Sequence, residues 1–339
     1  MSAAVYVQTN DAAENEIVAF SRAEDGALTR LGRYSTGGRG TGQPHLPSQG
    51  SVVLSEDGRW LLVVNAGSDE LSLLAVEPGG LRLADRVGSG GSRPTSVAVR
   101  GTLVYVLNNG TPSISGFDLA DGQLTALADS TRPLSGSDAD PAQISFTTDG
   151  RALIATERGT NSISSYAIDE NGLAEGPTTI DSSGQTPYGF GFANGSLIVT
   201  EAFGGQVGAA AASSYAVTGA GELTPVSGSV ADTRSEVCWA AVTSDGQFVF
   251  VTNFGDGTVS SYEIAADGSL TLRDPVAGST RQGEKGVRDE AISTDGRYLY
   301  AIDADAQQLF GWTVGQSGQL TPVGAFEGVP DTVAGLAAS

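Results

Sequence analysis

Apolar and polar residues alternate with a period of two along this chain, and glycine turns break the alternation at short intervals. Between Cys238 and Leu272 the pattern predicts four strands: Cys238 to Thr243, Phe248 to Thr252, Val259 to Ile264 and Leu270 to Leu272. Ser244-Asp245-Gly246-Gln247 turns the first strand into the second, and Asp267-Gly268 turns the third into the fourth. A tight hairpin turn needs a positive φ, which glycine adopts without steric cost, so Asp-Gly between alternating runs marks an antiparallel meander.

The unit recurs. A glycine followed within two residues by leucine repeats at Gly26, Gly80, Gly122, Gly172, Gly221, Gly268 and Gly318, with spacings of 54, 42, 50, 49, 47 and 50, and of 47 across the joined chain ends. The first turn repeats six times, at Asp57-Gly58, Arg100-Gly101, Asp149-Gly150, Asn194-Gly195, Asp245-Gly246 and Asp295-Gly296. The chain ends account for the missing seventh. Thr332 to Ala337 reads as a first strand without a second, and Ala4 to Gln8 as a second strand without a first. The third strands place Phe20, Leu74, Phe117, Tyr166, Tyr215, Tyr262 and Trp312 at one equivalent position, a column that reads as packing between neighbouring units.

A repeat of about 40 to 50 residues with four strands per unit is the signature of a propeller blade. The predicted fold is therefore all-β: a seven-bladed β-propeller of four-stranded antiparallel blades, closed by pairing the N- and C-terminal strands in one blade. Such closure hides two sheet edges that would otherwise invite aggregation. Residues 1–339 are expected to form a single domain.

Composition narrows the function. A formal net charge of −21 argues against nucleic acid and anionic membranes as partners, because neither phosphate surface attracts such a field. Cys238 is the only cysteine, so no intrachain disulfide and no Cys-based metal cage can form. No apolar run approaches a membrane span, and no signal peptide is visible before the strand at Ala4. A cytoplasmic monomer acting on a small molecule is expected.

In a blade running outward from the axis, the starts of the first strands and the ends of the second strands share one face, where function concentrates on loops held by a rigid frame. The second-strand ends carry Asn10, Asn65, Asn108, Glu157, Glu201, Asn253 and Asp303. The asparagines suit local capping of the loop that follows, whereas the carboxylates bring charge to a narrow channel. The first-strand starts bring Arg93, Gln143, Tyr188, Trp239, and the polar run Arg288-Asp289-Glu290. Arg288 is expected to pair with Asp289, or with Glu157 across the channel. Arginines around such a mouth suit carboxylate or phosphate, because each guanidinium offers a planar bidentate fork.

His45, the only histidine, lies in the longest insert, Thr36 to Gln49. It excludes a two-histidine metal site and leaves a Ser-His-Asp triad one possible base. The glycine-rich piece Gly88 to Gly91 has no helix after it to supply a dipole for phosphate, and reads as a blade connection.

The blades at 141–166 (PAQISFTTDGRALIATERGTNSISSY) and 238–262 (CWAAVTSDGQFVFVTNFGDGTVSSY), with VRDEAISTDGRYLYAID at 287–303, resemble the bacterial seven-bladed propeller lactonase family, which includes 6-phosphogluconolactonases and fungal carboxymuconate-lactonizing enzymes. The resemblance covers essentially the whole chain. It implies a lactone-opening or lactone-forming site at the channel mouth that uses Arg, Glu and His, with no cofactor and no metal strictly required. Glu157-Arg158-Gly159 leading to Ser162-Ile163 matches the family's second-strand end, and Val287-Arg288-Asp289 its last blade. The middle-blade Pro-Arg-His of many family members is Pro141-Ala142-Gln143 here.

On this reading Glu157 is the expected general base, and Arg158 and Arg288 hold the substrate carboxylate or stabilise an oxyanion. Glu201 and Gln143 orient water or substrate; Arg93, Asp289, Tyr188, Trp239 and Asn253 line the site, and His45 completes it from its loop. A non-catalytic propeller binding module is the alternative, favoured by the missing middle-blade Arg-His. A hard-cation site from Glu157, Glu201 and Asp303 is a third possibility.

Overall fold

In a computed structural model that describes residues 3–44 and 46–339, the chain forms seven antiparallel sheets. Each has four strands in sequence order, except that the outer strand of one sheet is split into Gln123–Ala126 and Arg132–Pro133. Blade 1 joins the chain ends: Ala334–Ala338 is its inner strand, followed by Ala4–Gln8, Glu16–Arg22 and Leu28–Ser35. The inner strands of blades 2 to 7 are Val52–Leu54, Pro94–Arg100, Pro141–Phe146, Pro187–Ala193, Val237–Val242 and Val287–Ile292.

The closing pairs are Val5 with Ala338, Tyr6 with Ala337, Val7 with Leu336 and Gln8 with Ala334. Arg22 reinforces the seam, donating to the Ser339 carbonyl at 3.0 Å and to Asp295 of blade 7 at 2.9 Å.

Turn chemistry carries the repeat. Gly246 (φ +67°) and Gly268 (φ +84°) hold the left-handed conformation their turns require, and a Cβ on Gly268 would strike Ser196 of the preceding blade. The third-strand column from Phe20 to Trp312 is buried throughout. Its tyrosines also reach across a blade boundary: the Tyr166 hydroxyl donates to the Pro133 carbonyl at 2.8 Å and that of Tyr262 to Val230 at 2.9 Å. A buried ring with a satisfied hydroxyl thus fixes the spacing between neighbours.

The axis is filled near one face. Gln49 lies among four blades: its backbone N–H donates to Ala142 at 3.1 Å, its carbonyl accepts from Ser96 Oγ at 2.6 Å, and a Cβ on Gly189 would strike its Oε1. Its side-chain amide pairs with Ala240 of blade 6 through both N–H and C=O, at 3.0 and 2.8 Å. Beside it, the Trp239 indole donates to the Ser48 carbonyl at 2.8 Å. The insert that follows blade 1 therefore ends as a plug beneath the mouth.

Candidate functional site

The second-strand ends do not face the channel. Glu157 is fully buried and accepts hydrogen bonds from the Ser135 N–H at 3.2 Å, the Ser135 hydroxyl, Thr160 Oγ1 at 3.0 Å and Ser164 Oγ at 2.5 Å. Glu201, equally buried, is held by Ser182, the Gly184 N–H, Ser213 and Ser229. Burial pushes its carboxyl above the usual range, and these four donors pull it back. Asn253 donates to Thr258 at 3.2 Å and Ser260 at 2.8 Å, and Asp303 accepts from the Ala306 N–H and from Arg281.

Glu157, Glu201 and, through Arg281, Asp303 pin the segment that enters their blade, while Asn253 holds the start of its own third strand. Glu157 is therefore walled off from the position a general base needs, and Glu201 and Asn253 are structural rather than substrate-facing. The carboxylates expected to share a cation are each occupied within their own blade. Among the described residues no group of three or more His, Cys, Asp or Glu is arranged to hold a metal ion. Asn10 lies two residues beyond its strand and holds the insert instead, through Thr41 and Gln43.

The mouth is built one residue further along. Backbone N–H groups of Asn109, Arg158, Ala202, Phe254 and Ala304 donate to the carbonyls of Arg93, Asp140, Thr186, Glu236 and Gly286, the residues that lead into the next inner strand. The last five have positive φ, at 53°, 42°, 57°, 54° and 143°. Four of them are not glycine, and such strained backbone clusters where the surrounding structure enforces it, often at functional sites. At two blades the side chain after the second strand reaches over the next inner strand's start: Asn109 donates to Asp140 Oδ1 at 3.0 Å, and Arg158 lies over Tyr188. Arg158 Nη2 contacts Asp140 Oδ1 at 2.7 Å, and its guanidinium lies 4.9 Å from the Tyr188 ring centre.

A cavity of about 380 Å³ opens between blades 5, 6 and 7, lined by Thr186, Tyr188, Ala202, Gly204, Gly205, Glu236, Cys238, Phe254 and Arg288. Thr156 Oγ1 donates to the Tyr188 carbonyl at 2.5 Å and Thr200 Oγ1 to that of Cys238 at 2.8 Å, so preceding blades fix this wall. Arg288, with only 7% of its side chain exposed, sits 5.3 Å from the Phe254 ring centre. Among the described residues its Nε and Nη1 have no hydrogen-bond partner. The nearest acid is neither Asp289 nor Glu157 but Asp305, at 3.9 Å from Nη2.

Burial lowers the Arg288 pKa, yet a guanidinium stays charged over the working range. Burial pushes the Cys238 thiol up to about 12 and the Tyr188 phenol well above its ordinary value, with Arg158 and Arg288 opposing both shifts. Neither group supplies an anion at neutral pH. Glu236, the one carboxylate on the wall, pairs with Lys285 at 2.9 Å.

The remaining expected site residues divide. Arg158, Arg288 and Tyr188 come together at the mouth. Gln143 does not face substrate: its amide pairs with both backbone groups of Phe190, at 2.6 and 3.1 Å. Trp239 packs edge-on against Tyr188 with centroids 5.6 Å apart and holds the plug. Asp289 is buried, and burial pushes its carboxyl well above the ordinary value, opposed by the backbone of Glu290 and Leu336. Arg93 lies exposed at blade 3, outside the cavity lining. His45 lies outside the described residues. Thr186, Glu236 and Phe254 line the cavity although the alternation pattern had not singled them out.

The family model described as "Lactonase, 7-bladed beta-propeller" matches residues 5–132, 91–207 and 201–333. No curated protein sequence matches the chain. Among solved structures, a periplasmic gluconolactonase of Pseudomonas aeruginosa is 20% identical, with a TM-score of 0.74 over 100% of this chain and 99% of its own. A Bacteroides fragilis protein provisionally named a 6-phosphogluconolactonase is 19% identical, with a TM-score of 0.77 over 100% and 98%. A Lactobacillus plantarum protein is 18% identical, with a TM-score of 0.80 over the full length of both. At these identities the likeness is one of fold.

Proposed function

Because the chain belongs to the seven-bladed β-propeller lactonase family, we propose that the cavity between blades 5 and 7 opens a small lactone carrying an anionic group, or closes one in reverse. Arg288 carries the reading: a charged, buried guanidinium with two nitrogens unpaired beside an open cavity. Such a group is poised to donate where negative charge develops on a carbonyl oxygen, and the low dielectric around a buried guanidinium strengthens that interaction.

Ring opening requires water to add to the lactone carbonyl, the ring C–O bond to break and a proton to reach the departing oxygen. Glu236 is the wall carboxylate able to take the proton from water and return it, in the role first expected of Glu157. Arg158, stacked near Tyr188, adds positive field from the rim. The binding-module reading is favoured by one observation, the Lys285 ammonium that already engages Glu236.

A pH-indicator assay over carboxylated lactones decides between the two. Arg288→Met is expected to lower kcat/KM by about 10²–10³-fold and Glu236→Gln by about 10²–10⁴-fold. Unchanged turnover in both variants would remove this mechanism. Binding without turnover across the panel would leave the module.

A further inference from the structure

We infer that the same cavity selects a compact lactone with an apolar body and a single negative charge, and turns away phosphorylated and polyhydroxylated sugar lactones. This specificity rests on the cavity being the substrate site.

Charge makes the first part of the argument. Among the described residues three cations approach the cavity: Arg288, Arg158 and Lys285. Each faces an acid: Asp305 at 3.9 Å, Asp140 at 2.7 Å and Glu236 at 2.9 Å. The local balance is neutral, and only the Arg288 contact is loose. One entering negative charge can take the two vacant nitrogens of Arg288. A phosphate monoester carries close to two charges at neutral pH, and the second would face the wall carboxylate of Glu236 and the nearby Asp305, with no unpaired cation for it among the described residues. A site built for phosphate more often gathers several unpaired guanidiniums or backbone N–H groups.

The rest of the wall makes the second part. Tyr188 and Phe254 present rings, Ala202 and Cys238 present small apolar groups, and Gly204 and Gly205 leave room for close approach. Apart from Thr186, Glu236 and Arg288, the described lining offers mainly carbon surface, which leaves most of a row of sugar hydroxyls without partners. A planar or hydrocarbon body is what aromatic and aliphatic walls hold best.

Calorimetric binding of stable acids to the intact protein separates this inference from the lactone reading, because it needs no turnover. The probes are 3-phenylpropionate, gluconate and 6-phosphogluconate. The phenyl acid is expected to bind at least tenfold tighter than either sugar acid, and to weaken at least tenfold in Arg288→Met and at least fivefold in Phe254→Ala. Equal or tighter binding of 6-phosphogluconate would overturn the specificity, as would phenyl-acid binding indifferent to both substitutions or absent from the unsubstituted protein. Binding as expected with no lactone opened would instead refute the reaction and leave the specificity standing.

Discussion

Removing the Glu157 carboxylate tests whether it is structural. In Glu157→Ala the partly buried Ser135 N–H loses its acceptor, Ser164 falls back on Thr179 Oγ1 at 2.9 Å, and a cavity opens where the side chain packed. Each buried group left unpaired costs about 1–3 kcal/mol, so with the lost volume the substitution should destabilise by roughly 3–5 kcal/mol. Unfolding entropy near about 2.1 cal/mol/K per residue gives roughly 0.7 kcal/mol/K for 339 residues. The melting temperature should then fall by roughly 4–7 °C. Glu157→Gln keeps the length and one acceptor oxygen and should lose about 1–2 kcal/mol, or roughly 1.5–3 °C. Calorimetry reads the melting shifts, and lactone turnover normalised to folded protein should stay within about twofold of the parent in Glu157→Gln. A melting temperature unchanged in both variants, with turnover abolished, would refute the reasoning and return Glu157 to the role of base.

Two further outcomes follow from buried groups. Glu290 pairs with Ala301, at the inner-strand position where other blades carry Val52, Val97, Ile144, Phe190, Ala240 and Leu336, and both its carboxylate oxygens lack partners among the described residues. Burial, reinforced by Asp289, holds its pKa well above the ordinary value. The raised value means that stability is greatest below the unfolded pKa of about 4.3 and is lost as pH rises toward the folded one. Glu290→Leu should therefore stabilise, by about 1–4 kcal/mol, and by more at pH 9 than at pH 5. Denaturant melts at the two pH values check this, and a destabilised variant at pH 9 would contradict it. Cys238, with its thiol near 12, should react with iodoacetamide at pH 8 about 10³-fold more slowly in the native protein than in guanidinium, because the thiolate is the nucleophile; mass spectrometry of this single cysteine reads the rates, and comparable rates would show a more open site.

The ring was legible because its determinants are local. A left-handed turn residue has few alternatives to glycine, so Gly268 and its equivalents announce themselves, and the column from Phe20 to Trp312 fixes the register between them. The chain ends were legible for the same reason: Ala4 to Gln8 emerged as drawn, and the final strand began two residues later than expected. The site was half legible. Strand side chains alternate, so a step of one residue exchanges one face for the other. Glu157 and Asn253 close their strands facing the blade boundary, whereas Arg158 and Phe254, the next residues, reach the mouth. Thr186 and Glu236 left no signal, because a non-glycine residue with positive φ is imposed by tertiary context rather than by its own preference. Arg288 was recognised from its polar neighbours, although its partner is Asp305, seventeen residues further along, in the loop after the adjoining strand.

Gln49 and Ser48, seated on the axis and bonded to blade 6, have a consequence for traffic. A propeller with a clear bore can admit a molecule at one end and discharge it at the other; here the bore has a stopper fastened by the amide of Gln49 and the indole of Trp239. Whatever enters beside Arg288 must leave by the door it came through, so arrival and departure compete for one opening.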